Sequence, residues 1–152
     1  AGQRIKALVD DALAKGARLV TGGQLDGSIM QATLLDGVTR DMRLYHEESF
    51  GPVAVVLRGA GDEELLRLAN DSEFGLSAAI FSRDVSRALL LAQRVESGIC
   101  HINGPTVHDE AQMPFGGVKA SGYGSFGSKA SIDFFTQLRW VTIQNGPRHY
   151  PI

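Results

Sequence analysis

Between Pro52 and Asn103 short apolar runs alternate with segments of helical spacing, and this alternation restricts the possible folds more than any other feature. Val53 to Leu57 is a near-continuous apolar run, the pattern of a strand covered on both faces, and Pro52 stands before it where no ladder donor is needed. Asp62 is placed to cap a helix whose first turn holds Glu63 and Glu64, with Leu65, Leu66 and Ala69 turned inward. After a break at Gly75, Ser77 to Phe81 reads as a buried strand. Asp84 caps a second helix carrying Val85, Ala88, Leu89, Ala92 and Val95; Gly98 stops it, and Ile99 to Asn103 is the next strand. Strand, helix, strand, helix, strand with short connections predicts an α/β fold with a parallel sheet and right-handed crossovers. Functional loops then lie beyond the carboxyl ends of the strands.

Ahead of this unit, Ile5, Leu8, Val9, Ala12 and Leu13 share one helical face until Gly16 offers a left-handed stop. The chain starts at Ala1 directly in this helix and reads as beginning inside a larger fold. Ala17 to Thr21 predicts a short buried strand ended by Gly22-Gly23, and Gln31 to Leu35 another ended by Asp36-Gly37. Gly104 to Gly127 holds six glycines and no long apolar run, as a loop or lid would. A helix around Ser128 to Thr136 and an alternating strand from Leu138 to Ile143 follow, then a polar tail. A strand past the sheet it should join points to an edge or an exchange between subunits.

Charge excludes one class of partner. Fifteen basic residues against 17 acidic ones leave a net charge of −2, whereas a nucleic-acid binder draws its affinity from neutralising phosphates. No segment approaches the roughly 18 apolar residues of a spanning helix, and no charged start precedes an apolar core. The expectation is a soluble, cytoplasmic protein with no membrane and no nucleic-acid partner. A single cysteine, Cys100, can form neither an intramolecular disulfide nor a thiolate metal cage.

Several constellations invite a chemical reading. Gly122-Tyr123-Gly124-Ser125-Phe126-Gly127 has G-x-G-x-x-G spacing, but no buried strand precedes it and the sole acid beyond it, Asp133, is too near to hold a ribose, so its glycines read as backbone turns. Cys100 and His101 are strand neighbours that point to opposite faces, which rules out a nucleophile and base pair between them. His101, His108, Asp109 and Glu110 match no metal-ligand spacing, and no metal is expected. Glu47 and Glu48 stand before Ser49-Phe50-Gly51-Pro52 at the mouth of an apolar strand. They read either as a solvated turn or as a site where one carboxylate accepts both hydroxyls of a ribose and the phenyl ring packs on a flat heterocycle.

Here the residues become recognisable. Glu47-Glu48-Ser49-Phe50-Gly51-Pro52-Val53 resembles the E-E-x-F-G-P-V motif of the NAD(P)-dependent aldehyde dehydrogenase superfamily. The likeness extends to Ala69-Asn70-Asp71 followed by Phe74-Gly75-Leu76, to Gly98 through Asn103, and to Pro114-Phe115-Gly116-Gly117-Val118-Lys119-Ala120-Ser121-Gly122-Tyr123-Gly124, in the family's order and covering essentially the whole chain.

The resemblance implies the carboxyl-terminal part of a catalytic domain over residues 1–136 and an oligomerisation strand with tail over 137–152. It places the catalytic cysteine and general-base glutamate before the start of this sequence, so no catalytic residue is expected in it and the chain alone should be inactive. Glu48 matches the acid that binds the nicotinamide ribose and Phe50 the aromatic beside the nicotinamide, with NAD or NADP as cofactor; Ser49 replaces a commoner aliphatic residue. Thr106, Val107 and Phe115 resemble the wall of the substrate tunnel. The implied reaction is thiolate attack on an aldehyde, hydride transfer from the thiohemiacetal to the cofactor, and hydrolysis by a glutamate-activated water. The segments Thr106 to Glu110 and Arg139 to Ile143 look most like members acting on aromatic aldehydes such as benzaldehyde, vanillin or salicylaldehyde. Partners are then a small aldehyde and further copies of the chain, as a homodimer or homotetramer through the final strand. Two other readings share these features: a non-catalytic binding or assembly module using that strand, and a related oxidoreductase working with acyl phosphates or CoA.

Overall fold

The computed structural model describes residues 1–151. Helix α1 (Gly2–Ala14) buries Ile5, Leu8, Val9 and Ala12, the predicted face. It ends as expected at Gly16, whose φ of +99° a Cβ would disfavour, while the Gly16 and Ala17 amides donate to the carbonyls of Leu13 and Ala12 at 3.1 and 2.9 Å. Strands β1 (Arg18–Thr21), β2 (Leu25–Asp26), β3 (Ile29–Met30) and β4 (Thr33–Asp36), helix α2 (Arg43–His46) and strand β5 (Val53–Val56) follow. β4 is the centre of a three-stranded sheet, antiparallel to β1 and parallel to β5 in the register Thr33↔Val53 to Asp36↔Val56. Leu35 of this strand packs with Leu8, Val9, Ala12, Ala17, Val38, Met42 and Leu44 to form the core.

Two burial expectations fail in this sheet. β1 is exposed at all four residues, and β5 is only half-buried with Ala54 exposed. Both are outer strands of the sheet, so an apolar run alone did not reveal how much covers it.

The second half holds α3 (Asp62–Asn70), β6 (Phe74–Gly75), β7 (Ser77–Ile80), α4 (Val85–Ala92), β8 (Ile99–Ile102), β9 (Val118–Lys119) and α5 (Ser128–Phe135). β7 and β8 pair in parallel from Ser77↔Ile99 to Ile80↔Ile102, with α4 between them in the chain, and β6 pairs antiparallel with β9. The class is mixed α/β, but the alternation does not yield one parallel sheet. Among the described residues β5 joins β4, and β7 with β8 forms a separate pair. Alternation orders the elements along the chain; it does not specify which strand edges meet.

Local signals fared unevenly. Asp84 caps α4 as predicted, accepting from the Arg87 amide at 2.9 Å. Asp62 is instead the first residue of α3, after Gly61 at φ +81°, and its carboxylate takes the Arg87 side chain, with Nε to Oδ2 at 2.8 Å. Glu63 is bidentate to Arg94 at 2.6 Å, so the first-turn acids of α3 clasp α4 and the residues after it. Gly98 does not stop α4, which ends earlier at Ala92; a Cβ at Gly98 would overlap the Gly116 carbonyl oxygen, so glycine is needed there for a close backbone approach. The expected strand Leu138 to Ile143 joins no sheet among the described residues, and Leu138, Trp140, Val141 and Ile143 are exposed. Alternation supplies a strand's two faces but not the partner edge that defines it. No helix of the described residues is long and apolar enough to cross a membrane.

Candidate functional site

The Glu47 to Phe50 segment leaves α2 and turns into β5. Buried Met42 and Leu44 anchor this short helix to the core. In the segment that follows it the two acids differ. Arg43 donates through Nε and Nη2 to the two oxygens of Glu47 at 2.6 and 3.0 Å, which holds the Glu47 carboxyl below the usual carboxylate range. Among the described residues the Glu48 carboxylate has no ion pair or hydrogen bond. Glu48 lines a cavity of about 360 Å³ whose walls include Ser72, Phe74 to Ala78, Ser97 and Ser121.

The backbone of this turn is held from α1. Arg4 donates to the carbonyls of Glu48, at 3.2 Å, and of Ser49, and a Cβ on Gly51 would overlap the Ile5 side chain. Phe50 sits at φ +44°, a left-handed conformation rare for a bulky residue, with 83% of its surface exposed. Strain of this kind persists only where surroundings impose it, and here it throws the ring outward beside a partner-free carboxylate. Sequence reasoning missed Arg4, which looks like any solvated arginine on the polar face of a helix; only its long-range acceptors distinguish it.

The loop residues form a second group. Asn103, at φ +56°, accepts from the Ser82 amide at 2.8 Å and donates to the Ser82 carbonyl at 3.0 Å, fixing the exit of β8. The Ser77 hydroxyl donates to the Thr106 carbonyl at 2.9 Å, and Val107 beside it is 91% exposed. Phe115 is tied to Phe126 by a reciprocal pair of backbone bonds at 2.8 and 2.7 Å. Between β8 and this loop lies a cavity of about 390 Å³ bordered by Gly98 to His101, His108 to Glu110, Met113 and Pro114. Neither Glu48 and Phe50 nor Thr106, Val107 and Phe115 border it, so the predicted tunnel residues flank this cavity in sequence without lining it, and Glu48 lies in the other cavity.

The bland readings gain physical detail. Burial raises the Cys100 thiol pKa, the opposite of what activates a nucleophile. His101 meets the His108 ring edge-on at 5.6 Å, and its buried Nε2 has no hydrogen-bond partner among the described residues. No three His, Cys, Asp or Glu side chains converge as a metal site among the described residues. Gly127 ends the G-x-G-x-x-G run at φ +92°, its amide bonded to the Ser131 hydroxyl at 2.9 Å, and Asp133 pairs with Lys129 inside α5. These contacts match the structural reading of those glycines.

Residues 1–141 match the pattern of the aldehyde dehydrogenase family. The chain belongs to this family. Over all 152 residues it is 87% identical to a vanillin dehydrogenase from a Pseudomonas species, of which it covers 32%. A salicylaldehyde dehydrogenase from Pseudomonas putida, solved in complex with salicylaldehyde, superposes with a TM-score of 0.90 at 51% identity over 99% of this chain and 31% of that one. A succinic semialdehyde dehydrogenase from Streptococcus pyogenes, solved with NADP+, gives a TM-score of 0.86 at 33% identity over 95% of this chain and 32% of that one. This aldehyde dehydrogenase chain thus spans about a third of the length of the relatives it matches.

Proposed function

We propose that this chain forms the carboxyl-terminal part of an NAD(P)-dependent aldehyde dehydrogenase that oxidises an aromatic aldehyde to its acid through a cysteine thiohemiacetal. The cysteine and the general-base glutamate come from the rest of that enzyme, and the chain alone is inactive. The observation that carries the reading is the division of labour between two adjacent acids. Arg43 occupies Glu47, while Glu48 faces a cavity with both carboxylate oxygens free and Phe50 presented beside it. A carboxylate accepting both hydroxyls of a vicinal diol needs two free oxygens, and a flat heterocycle needs an exposed ring.

In this reading Glu48 accepts the hydroxyls of the nicotinamide ribose, and Phe50 packs near the nicotinamide. Bound NAD or NADP accepts the hydride. Arg4 and Ile5 hold the turn from behind, so that the carboxylate does not have to be ordered when the cofactor arrives. Thr106, Val107 and Phe115 line the aldehyde tunnel from a loop fixed at Asn103 and at the Phe115–Phe126 bridge. The aromatic substrate class is supported by the vanillin and salicylaldehyde dehydrogenase relatives. Residues 1–136 serve the site, and residues 137–152 carry a strand that pairs with another copy in a homodimer or homotetramer. The free thiol of Cys100 suits a reducing, cytoplasmic setting.

The test is Glu48→Gln in the full-length enzyme. One charged hydrogen-bond acceptor is worth about tenfold or more in affinity, so the KM for the cofactor should rise by at least that factor. Cofactor kinetics equal to those of the parent would remove Glu48 from the site.

A further inference from the structure

Helix α2 delivers Glu48 and Phe50, yet four residues cannot sustain a helix by themselves. Besides its buried anchors, two distant carboxylates grip it: Asp11 Oδ2 accepts from the Arg43 amide at 2.9 Å, and Asp71 binds the helix and the residue before it. Asp71, just past the end of α3, accepts from the Tyr45 hydroxyl through Oδ2 at 2.6 Å and from Arg40 Nη2 through Oδ1 at 3.0 Å. Arg40 precedes α2 and Tyr45 lies within it, so the two oxygens hold the helix from both sides. His46 closes the cluster, with Nε2 2.8 Å from the Arg40 carbonyl oxygen and its ring edge-on to Tyr45 at 4.8 Å.

The chain runs from Asp71 directly into the far wall of the Glu48 cavity, at Ser72 and Phe74 to Leu76. That wall is itself braced: Lys119 donates to the carbonyls of Asn70 and Ser72 at 2.8 and 3.0 Å, and Asn70 bonds the Glu96 amide and the Arg94 carbonyl at 2.9 Å each. Asp71 is therefore the joint between a braced wall and an otherwise short helix. The Tyr45 hydroxyl holds the Asp71 carboxyl below the usual range, with Arg40 and Arg67 assisting, so the joint stays ionised at neutral pH.

We propose that Tyr45 and Asp71 are positioning residues for the cofactor: they fix the Glu48 carboxylate relative to the Ser72–Leu76 wall and so set the affinity for NAD(P)+ without touching it. The proposal rests on the reading of Glu48 as the ribose acceptor. It separates cofactor from aldehyde, because Tyr45 and Asp71 do not border the 390 Å³ cavity, and Thr106 and Val107 lie on a different segment of the chain.

The experiment measures KM for NAD+ and NADP+, and KM for benzaldehyde, in the full-length enzyme and its variants. Tyr45→Phe keeps the ring and removes one hydrogen bond to a charged group, and should raise the cofactor KM about fivefold while leaving the benzaldehyde KM unchanged. Asp71→Asn retains an oxygen for Tyr45 and loses the charge facing Arg40; it should raise the cofactor KM as well, and it provides a second reading should either variant fold poorly. The deciding arm places Tyr45→Phe in the Glu48→Gln background, where no further rise is expected because the two residues act through one contact. An undiminished fivefold rise there, an equal rise in the benzaldehyde KM, or no effect of Tyr45→Phe while Glu48→Gln is impaired would overturn the positioning role alone. Parent-like cofactor kinetics in Glu48→Gln would overturn the ribose reading and the positioning role with it.

Discussion

Glu47 and Glu48 are adjacent and chemically identical, and they end in different surroundings. The sequence held one usable signal for this: Arg43 lies four residues before Glu47, the spacing at which helical side chains meet, whereas no Lys or Arg stands three or four residues from Glu48. The capping residues show the same sensitivity. Asp84 was legible because its own helix supplied the amide it accepts from, while Asp62 was claimed by Arg87, which is far away in sequence. A buried acid was not legible at all. Asp36 reads as a turn residue before Gly37, yet it is buried at the end of β4, where Arg58 first and Arg18 second lower its pKa from 3.8 to about 2. Because the folded pKa lies below the unfolded one, the stabilisation is present above about pH 4 and is lost as pH falls towards 2. The melting difference between the full-length enzyme and Asp36→Asn should accordingly be largest near neutrality and narrow below pH 4. A difference independent of pH across that interval would assign the role of Asp36 to packing.

Helices were legible as segments from their periodicity, and the buried face of α1 could be named residue by residue. In α3 and α4, however, it is Leu66 and Ala88 that are buried, while Leu65, expected to turn inward, is exposed, as are Val85 and Leu89 of the apolar set of α4. Strands were legible as segments and not as pairings. Whether β5 joins β4 or β7 depends on edges contributed by residues far apart, and no period encodes that. Leu138 to Ile143 extends the point: its alternation is clear, but none of the described residues pairs with it. If it is completed by another copy, its backbone donors matter more than its side chains. Val141→Pro removes one donor and fixes φ, which a paired strand tolerates poorly. The native mass of the full-length enzyme, measured by light scattering, should fall to that of a smaller species in this variant. An unchanged mass would show that this segment does not hold the subunits together.

At the scale of the whole chain, burial is lopsided. Among the described residues nine of the eleven buried hydrophobic ones lie between Ile5 and Leu44, the other two being Leu66 and Ala88. Phe81, Leu90, Phe134, Phe135, Trp140 and Ile143 are exposed. The accessible surface is 11278 Å², whereas a self-contained protein of this mass exposes roughly 7,500 Å². The excess, about 3,800 Å², is the size of an obligate interface, and its apolar character gives the strongest physical reason to treat the site as completed by other residues. The two cavities argue likewise: of the candidate site residues Glu48 alone lines one of them, and Thr106, Val107 and Phe115 line neither. The 152-residue chain produced alone should therefore associate through its uncovered faces and form no NADH from benzaldehyde and NAD+, with the same result for NADPH from NADP+. A monomer that melts cooperatively would contradict the need for covering surfaces, and aldehyde-dependent reduction of either cofactor would contradict the assignment of the nucleophile to residues outside this chain.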